Sequence, residues 1–294
     1  MSRKEKIELT NILPIIGMII GLCLLIYPVA ADWIATNRAD QSVTSASATI
    51  ENMSDSQRTD ILRKAELYNE QLFIGLADDN KYNNELDIDN VGTMCSISIP
   101  SIGVEQPVYH GSEENVLMSG AGHVRGTSLP VGGNNTHTVI AGHTGMPGQR
   151  MFDDVDKMQI DDIVEIHVLN ETLYYKMTSS EVVDPGYSNK LEIIEGEDLL
   201  TLVTCTPYGI NDHRLLVHCE RIDSQKAETT LSNIEQKQPI ELYLNFRTIP
   251  FIIASLVIAI VQIKITIGKI IASHSKKKTH STRRVMLITD EHKR

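Results

Sequence analysis

The stretch Leu202-Val203-Thr204-Cys205-Thr206-Pro207-Tyr208-Gly209-Ile210-Asn211-Asp212-His213-Arg214 sets a thiol at the end of a short apolar strand. After a turn it sets a guanidinium at the start of the next strand, Leu215-Leu216-Val217. Such a pair suits nucleophilic catalysis, because the thiolate is the reactive form of cysteine and a neighbouring cation favours it. The competing structural reading is an inert, buried thiol, since free cysteine is among the most buried residue types. A nucleophilic cysteine also needs a base or ion-pair partner, most often a histidine from elsewhere in the chain.

The middle of the chain offers His110, His123, His137, His143, His167, His213 and His218. His167 and His218 fall within strand-like segments and read as ordinary face residues. His213 adjoins Arg214, whose charge disfavours its protonation. His143 ends the apolar strand Val139-Ile140-Ala141 between Gly142 and Gly145, slender neighbours that leave room for a peptide. His123, in Gly122-His123-Val124-Arg125-Gly126, has a similar setting, and the residue pattern alone does not separate the two.

These residues need a scaffold that brings strand ends together. Strand patterns recur at 94–99, 104–109, 138–141, 163–169, 172–183, 199–204 and 214–221, with a tight hairpin at Leu169-Asn170-Glu171-Thr172. Glycine-rich turns separate them at Gly120-Ala121-Gly122, Gly132-Gly133-Asn134-Asn135 and Gly145-Met146-Pro147-Gly148. Many short strands with frequent turns predict an all-β barrel or sandwich. Ahead of it, Ser54-Asp55-Ser56-Gln57 can cap a helix carrying Ile61, Leu62, Ala65, Leu67, Tyr68, Leu72 and Phe73. Residues 81–90, polar and acidic, read as a linker or exposed loop.

The chain has 294 residues and a formal net charge of −11, unevenly placed. Residues 34–246 carry 14 Lys and Arg against 33 Asp and Glu, while the flanks carry 13 against 5. The acidic middle excludes nucleic acid as a partner, which needs a basic footprint. Residues 12–31 form an uncharged apolar run behind Arg3, Lys4 and Lys6, long enough for a membrane helix. A cleaved signal peptide is the competing reading, with small residues at Val29-Ala30-Ala31. A second run, 249–272, contains Gln262, Lys264 and Lys269 and precedes Lys276-Lys277-Lys278 and Arg283-Arg284. Basic residues outside both runs predict cytoplasmic termini and an extracellular middle. The expected layout is therefore a basic tail at 1–11, a membrane helix at 12–31, a helical lead-in at 32–90 and a barrel at 91–223. A linker at 224–248, a membrane helix at 249–272 and a basic tail at 273–294 follow. Of the four cysteines, Cys23 lies in the first run, leaving Cys95, Cys205 and Cys219 outside. No Cys/His set has zinc spacing, so neither metal nor cofactor is expected.

Beyond these separate features, the sequence resembles the sortases, cysteine transpeptidases of Gram-positive cell surfaces, and most closely class C, the pilin-polymerising group. The likeness lies in Thr201-Leu202-Val203-Thr204-Cys205-Thr206-Pro207-Tyr208-Gly209-Ile210-Asn211 with Arg214-Leu215-Leu216-Val217, and in Thr138-Val139-Ile140-Ala141-Gly142-His143. It extends to Gly122-His123 with Gly126-Thr127-Ser128-Leu129-Pro130-Val131-Gly132-Gly133, and to Ile99-Pro100-Ser101-Ile102-Gly103-Val104 with Pro107-Val108-Tyr109-His110-Gly111.

The resemblance implies a closed eight-stranded β-barrel with short helices, flanked by membrane helices. It implies Cys205 as nucleophile, His143 as its acid–base partner and Arg214 as the stabiliser of the oxyanion, and it makes Gly122-His123 a structural turn. Thr204 is a candidate substrate or oxyanion contact. The implied substrates are pilins or other surface proteins with a Leu-Pro-x-Thr-Gly-like sorting signal, and the acceptor is a pilin lysine amine or, in wall anchoring, a peptidoglycan cross-bridge amine. A binding-only surface barrel is the reading from another class. Two departures stand out. Class C members carry an Asp-Pro-aromatic lid in the lead-in, whereas Leu76-Ala77-Asp78-Asp79-Asn80-Lys81-Tyr82 has no proline, so Cys205 is expected to be uncovered. Cys219 stands where glycine is usual, and reads as a small buried residue or as a disulfide partner of Cys95.

Overall fold

A computed structural model describes residues 3–146, 151–186 and 190–235, with residue 264 beside them. The chain divides into two compact units, residues 29–239 and residues 1–28 with 240–294. The second apolar run and the basic tail after it lie outside the described residues, Lys264 excepted. The first apolar run lies in the first helix, α1 (Arg3–Asn52), where many of its side chains are also outside the described set. Among the described residues, no helix is long and apolar enough to cross a membrane.

The lead-in continues from α1 into α2 (Asp55–Phe73), and the cap is the one the sequence predicts. Ser54 Oγ accepts from the Gln57 N–H at 3.3 Å, and the Gln57 side chain accepts from the Ser54 N–H at 2.9 Å. This reciprocal pairing satisfies donors that the first helical turn leaves open. Ala65 and Tyr68 turn inward, and Asn69 makes two hydrogen bonds with the backbone of Leu129, joining the helix to the barrel. Residues 81–90 are not an exposed loop: Tyr82, Leu86 and Ile88 are all buried against the barrel. Their apolar side chains are too widely spaced among acidic residues to show a period in the sequence.

Eight strands close the barrel in the order β1-β2-β3-β4-β7-β8-β6-β5. They are β1 (Thr93–Ile99), β2 (Val104–His110), β3 (Ala121–His123), β4 (Thr136–Ala141), β5 (Ile163–Val168), β6 (Glu171–Val183), β7 (Asp198–Thr206) and β8 (His213–Ile222). β2 with β3 and β4 with β7 are parallel, and the remaining pairs are antiparallel. Closure leaves no unpaired edge to template aggregation. The hairpin turn at Leu169-Asn170 forms as read, with Val168 opposite Glu171 and Leu169 at φ 49°. The sequence does not predict β3, because three residues amid glycines show no alternation. Two short helices complete the unit, α3 (Glu114–Leu117) and α4 (Ser224–Glu235). The segment expected as a linker thus opens with a helix, which buries Ala227.

The alternation of strand side chains gives the barrel two faces. Ile140, Leu200, Leu202, Leu215 and Val217 point into the main core. Their neighbours Val139, Val203 and Leu216 point outward and form a second apolar cluster with Ala141, Val183 and Leu191. Cys205 shares the parity of Val203, so it belongs to the outer face.

Candidate active site

Cys205 and Arg214 are direct cross-strand partners on β7 and β8. The strand reaches Thr206, beyond the end expected from sequence, and so both residues are held by the ladder itself. Residues opposite one another on one face of an antiparallel pair have Cβ atoms about 4.5–5.5 Å apart. On the other side, Ala141 pairs in parallel with Val203 and the Gly142 N–H donates to the Val203 carbonyl at 3.0 Å. Continuing that register by two residues brings His143 level with Cys205. The three residues singled out in the sequence therefore lie at one end of the outer face, Cys205 and Arg214 as a cross-strand pair and His143 two residues beyond the end of β4.

The loop after β4 is tied down so that His143 holds this place. Phe152 donates from its N–H to the His143 carbonyl at 3.1 Å, and its ring lies where a side chain at residue 142 would be: a Cβ there would sit 2.5 Å from it. Glycine is therefore required at 142. Thr144 Oγ1 bonds to the Phe152 carbonyl and to Thr204 Oγ1, and Asp153 accepts from the Gly145 N–H. Thr204 is buried, and its hydroxyl also donates to the Gly142 carbonyl at 2.8 Å. Its side chain thus fastens the histidine loop. Phe152, Thr144 and Asp153 escaped the sequence reading, since nothing local links them to residues 142–145.

His143 is mostly covered, with 16% of its side chain exposed, and its Nε2 atom is buried without a hydrogen-bond partner among the described residues. The nearest carboxylate is Glu114 Oε1 on α3, 3.5 Å from Nε2. Arg214 is anchored by half its fork: Nη1 donates to the carbonyls of Asn211 at 3.1 Å and His213 at 2.9 Å. Among the described residues no carboxylate pairs with it. A cation held by neutral carbonyls, with donors left over, suits a negative charge that arrives only during a reaction. Cys205 is partly exposed, whereas Cys95 and Cys219 are buried free thiols. Burial pushes both of those thiols far above their usual range, so they stay protonated. They form no disulfide, and they sit on β1 and β8, which are not neighbours in the barrel.

The other histidines are engaged elsewhere. His123 is fully buried: Tyr82 Oη bonds to its Nδ1 at 2.8 Å, and its Nε2–H donates to the Ser128 carbonyl at 2.8 Å. Desolvation pulls it down to about 4, so it is neutral at ordinary pH. His137 and His218 flank Thr201, His110 faces the carbonyls of Gly92 and Glu85, and His167 contacts Thr172. His213 reverses the sequence expectation. Its hydrogen bond with Asp212 at 2.7 Å, with Asp184 at 3.4 Å adding to it, raises it above its usual value and outweighs the effect of desolvation. The Asp78–Tyr82 stretch is bound at Arg125: Asp79 and Asn83 accept from its guanidinium, which lies 4.7 Å from the centre of the Tyr82 ring. Among the described residues no group of His, Cys, Asp and Glu is arranged to hold a metal ion.

Known proteins share this arrangement of elements. Residues 97–222 match the sortase domain family. The chain is 30% identical over 132 residues to sortase A of Bacillus anthracis, covering 44% of this chain and 60% of that protein. Over 136 residues it is 25% identical to sortase A of Streptococcus agalactiae, covering 53% of it. The chain thus spans somewhat over half the length of these curated relatives. Likeness to solved structures is broader. The crystal structure of sortase C1 from Streptococcus agalactiae is 38% identical, with 63% of this chain and 99% of that one covered at a TM-score of 0.61. Clostridium perfringens sortase C, solved with a C-terminal cell wall sorting motif, is also 38% identical, with coverage of 63% and 100% and a TM-score of 0.58.

Proposed function

The chain belongs to the sortase family of cysteine transpeptidases, and from that premise we propose that it is a pilin polymerase anchored in the cell membrane with its catalytic barrel on the extracellular side. It cleaves a Leu-Pro-x-Thr-Gly-like sorting signal after threonine and transfers the acyl group to a lysine amine of a pilin. The observation that carries this reading is the cross-strand pair Cys205–Arg214, with His143 just past the end of the neighbouring β4 and the arginine meeting no carboxylate among the described residues.

In this mechanism the Cys205 thiolate attacks the threonine carbonyl carbon, and the carbonyl electrons move onto oxygen. The unengaged donors of Arg214 stabilise that oxyanion. As the tetrahedral intermediate collapses, the C–N bond to glycine breaks and His143 gives its proton to the leaving amine, which departs with the segment after threonine. A thioester on Cys205 remains. The lysine amine then attacks it, losing a proton to His143, and the thiolate leaves as the isopeptide bond forms. Thr204, through Gly142, keeps His143 in line. The basic flanks and the apolar runs at 12–31 and 249–272 support anchoring at both ends, with the acidic barrel outside.

Membranes carrying the full chain, incubated with a sorting-signal peptide and a lysine-containing pilin domain, are expected to release the segment after threonine and to give a pilin–peptide isopeptide product by mass spectrometry. Transfer to a cross-bridge amine but never to the pilin would assign the chain to wall anchoring. Absence of cleavage with every such signal would overturn the transpeptidase reading.

A further inference from the structure

The short helix α3 lies between β2 and β3, and two glycines fix its place. Gly111, at φ 83°, turns the chain out of β2 in a conformation that favours glycine. Its N–H donates to Tyr82 Oη at 3.0 Å, and that hydroxyl donates to His123 Nδ1 at 2.8 Å, so the approach to the helix is tied to the buried corner. Gly122 on β3 supplies the second fixed point. A Cβ there would lie 3.0 Å from Leu117 Cδ2 and 2.3 Å from the Gly111 carbonyl oxygen, so α3 and the turn before it fill the space a side chain would need. The N–H groups of Val116 and Leu117 donate to the Glu113 carbonyl and close the helical turn.

This seating carries the Glu114 carboxylate to the histidine loop, with Oε1 3.5 Å from His143 Nε2. The neighbouring acid, Glu113, has its carboxylate turned over Gly111, and Asp153 on the loop accepts from the Gly145 N–H. The ring nitrogen is buried and lacks a hydrogen-bond partner among the described residues, whereas 78% of the Glu114 side chain is exposed. An exposed side chain of this kind closes a few tenths of an ångström at little cost beyond rotamer entropy. The contact is longer than an ordinary hydrogen bond, and it tightens into a charge-assisted one when the ring is protonated.

We propose that Glu114 is a positioning residue for His143: it accepts from Nε2–H and leaves Nδ1 as the nitrogen that exchanges protons with the reacting groups. The Nε2 proton stays on the ring throughout. The Nδ1 proton goes to the departing amine and is replaced by one from the lysine amine, while Glu114 remains ionised. The carboxylate thus holds the tautomer and orientation of the ring and stabilises the imidazolium whenever it forms. Its part in turnover rests on the transpeptidase reading, while the contact and the tautomer do not.

The test uses the full chain in detergent, labelled with ¹⁵N at its histidines, with His143→Gln to assign the signal. At a pH where the ring is neutral, His143 should carry its proton on Nε2, and Glu114→Ala should weaken that preference at least about threefold. With a sorting-signal peptide and a lysine acceptor, Glu114→Ala should lower kcat about fivefold, the worth of one partly exposed ion pair, with KM within about twofold of wild type. Glu114→Gln, which accepts from Nε2–H without the charge, should keep the tautomer and give a kcat between the two. Leu117→Ala, which loosens the seat of α3, should also lower kcat, and the double variant with Glu114→Ala should lose no more than Glu114→Ala alone. Additive losses would overturn the role of α3 in placing Glu114. An unchanged His143 signal in Glu114→Ala, or a wild-type ring protonated on Nδ1, would overturn the contact. A kcat within about twofold of wild type in Glu114→Ala, or a rise in KM at constant kcat, would overturn its role in turnover. If the wild-type chain transfers no peptide, the transpeptidase reading fails, and the tautomer alone decides whether Glu114 holds the ring.

Discussion

Two glycine–histidine corners lie close together in this barrel and differ in what their histidines have left to offer. Gly122-His123 and Gly142-His143 sit on or next to β3 and β4, which are paired, and each glycine admits a neighbour that a side chain would exclude. At 122 that neighbour includes Leu117 of α3, and at 142 it is the Phe152 ring. The histidines then diverge. His123 is buried with both nitrogens occupied, by Tyr82 and by Ser128. His143 keeps a nitrogen with no hydrogen-bond partner among the described residues, and follows the end of the strand paired with the one that carries a partly exposed thiol. Complete hydrogen bonding ties His123 to a structural place, whereas the nearest described group to His143 Nε2 is the Glu114 carboxylate at 3.5 Å. The cysteines repeat the contrast, because Cys95 and Cys219 fill the core while Cys205 lies on the outer face.

The strongest way to break this contrast is to ask the thiols directly. A small alkylating reagent should modify Cys205 at least about 100-fold faster than Cys95 or Cys219 in the folded chain, since the buried pair react only through opening of the barrel. Peptide mapping over a time course reads this, and comparable rates at all three would end the distinction. Next in size, Arg214→Gln should lower kcat for peptide cleavage by about 10²–10³-fold, the range typical of a lost oxyanion donor. A change below about twofold would assign Arg214 to the strand alone. The smallest effect tests the buried corner. His123 is held near 4 when folded against an ordinary value of 6.5, so the unfolded chain takes up the proton first. Its contribution is complete above pH 6.5 and falls away as the pH drops from there towards 4, by about 3 kcal/mol in all. Urea unfolding at pH 7 and pH 4.5 should show a steeper loss in the wild type than in His123→Asn, and parallel losses would contradict a neutral buried histidine.

Much of this was legible in the chain. Ser54 and Gln57 announced α2, because capping is a local matter of residues three apart. The alternation along β5 and β6 gave the hairpin, and the apolar run before Cys205 gave β7. The sequence left His143 and His123 level, and only the family likeness separated them; the structure separates them by burial. What stayed hidden is non-local. Nothing around residue 82 shows that Tyr82 fills a pocket lined by Gly111 and His123. Thr204 looked available for substrate because its bonds to Gly142 and Thr144 join residues far apart in the chain. The bias of polar residues after 223 hid α4, whose one buried face needs only Ala227.

A covalent adduct on Cys205 is the most direct consequence of this chemistry. When the full chain is mixed with a Leu-Pro-x-Thr-Gly-like peptide and no acceptor amine, and then quenched in acid, mass mapping should find the peptide through its threonine as a thioester on Cys205. The adduct should be absent in Cys205→Ala and discharged by an added lysine amine. An adduct on Cys95 or Cys219, or cleavage that continues in Cys205→Ala, would contradict it.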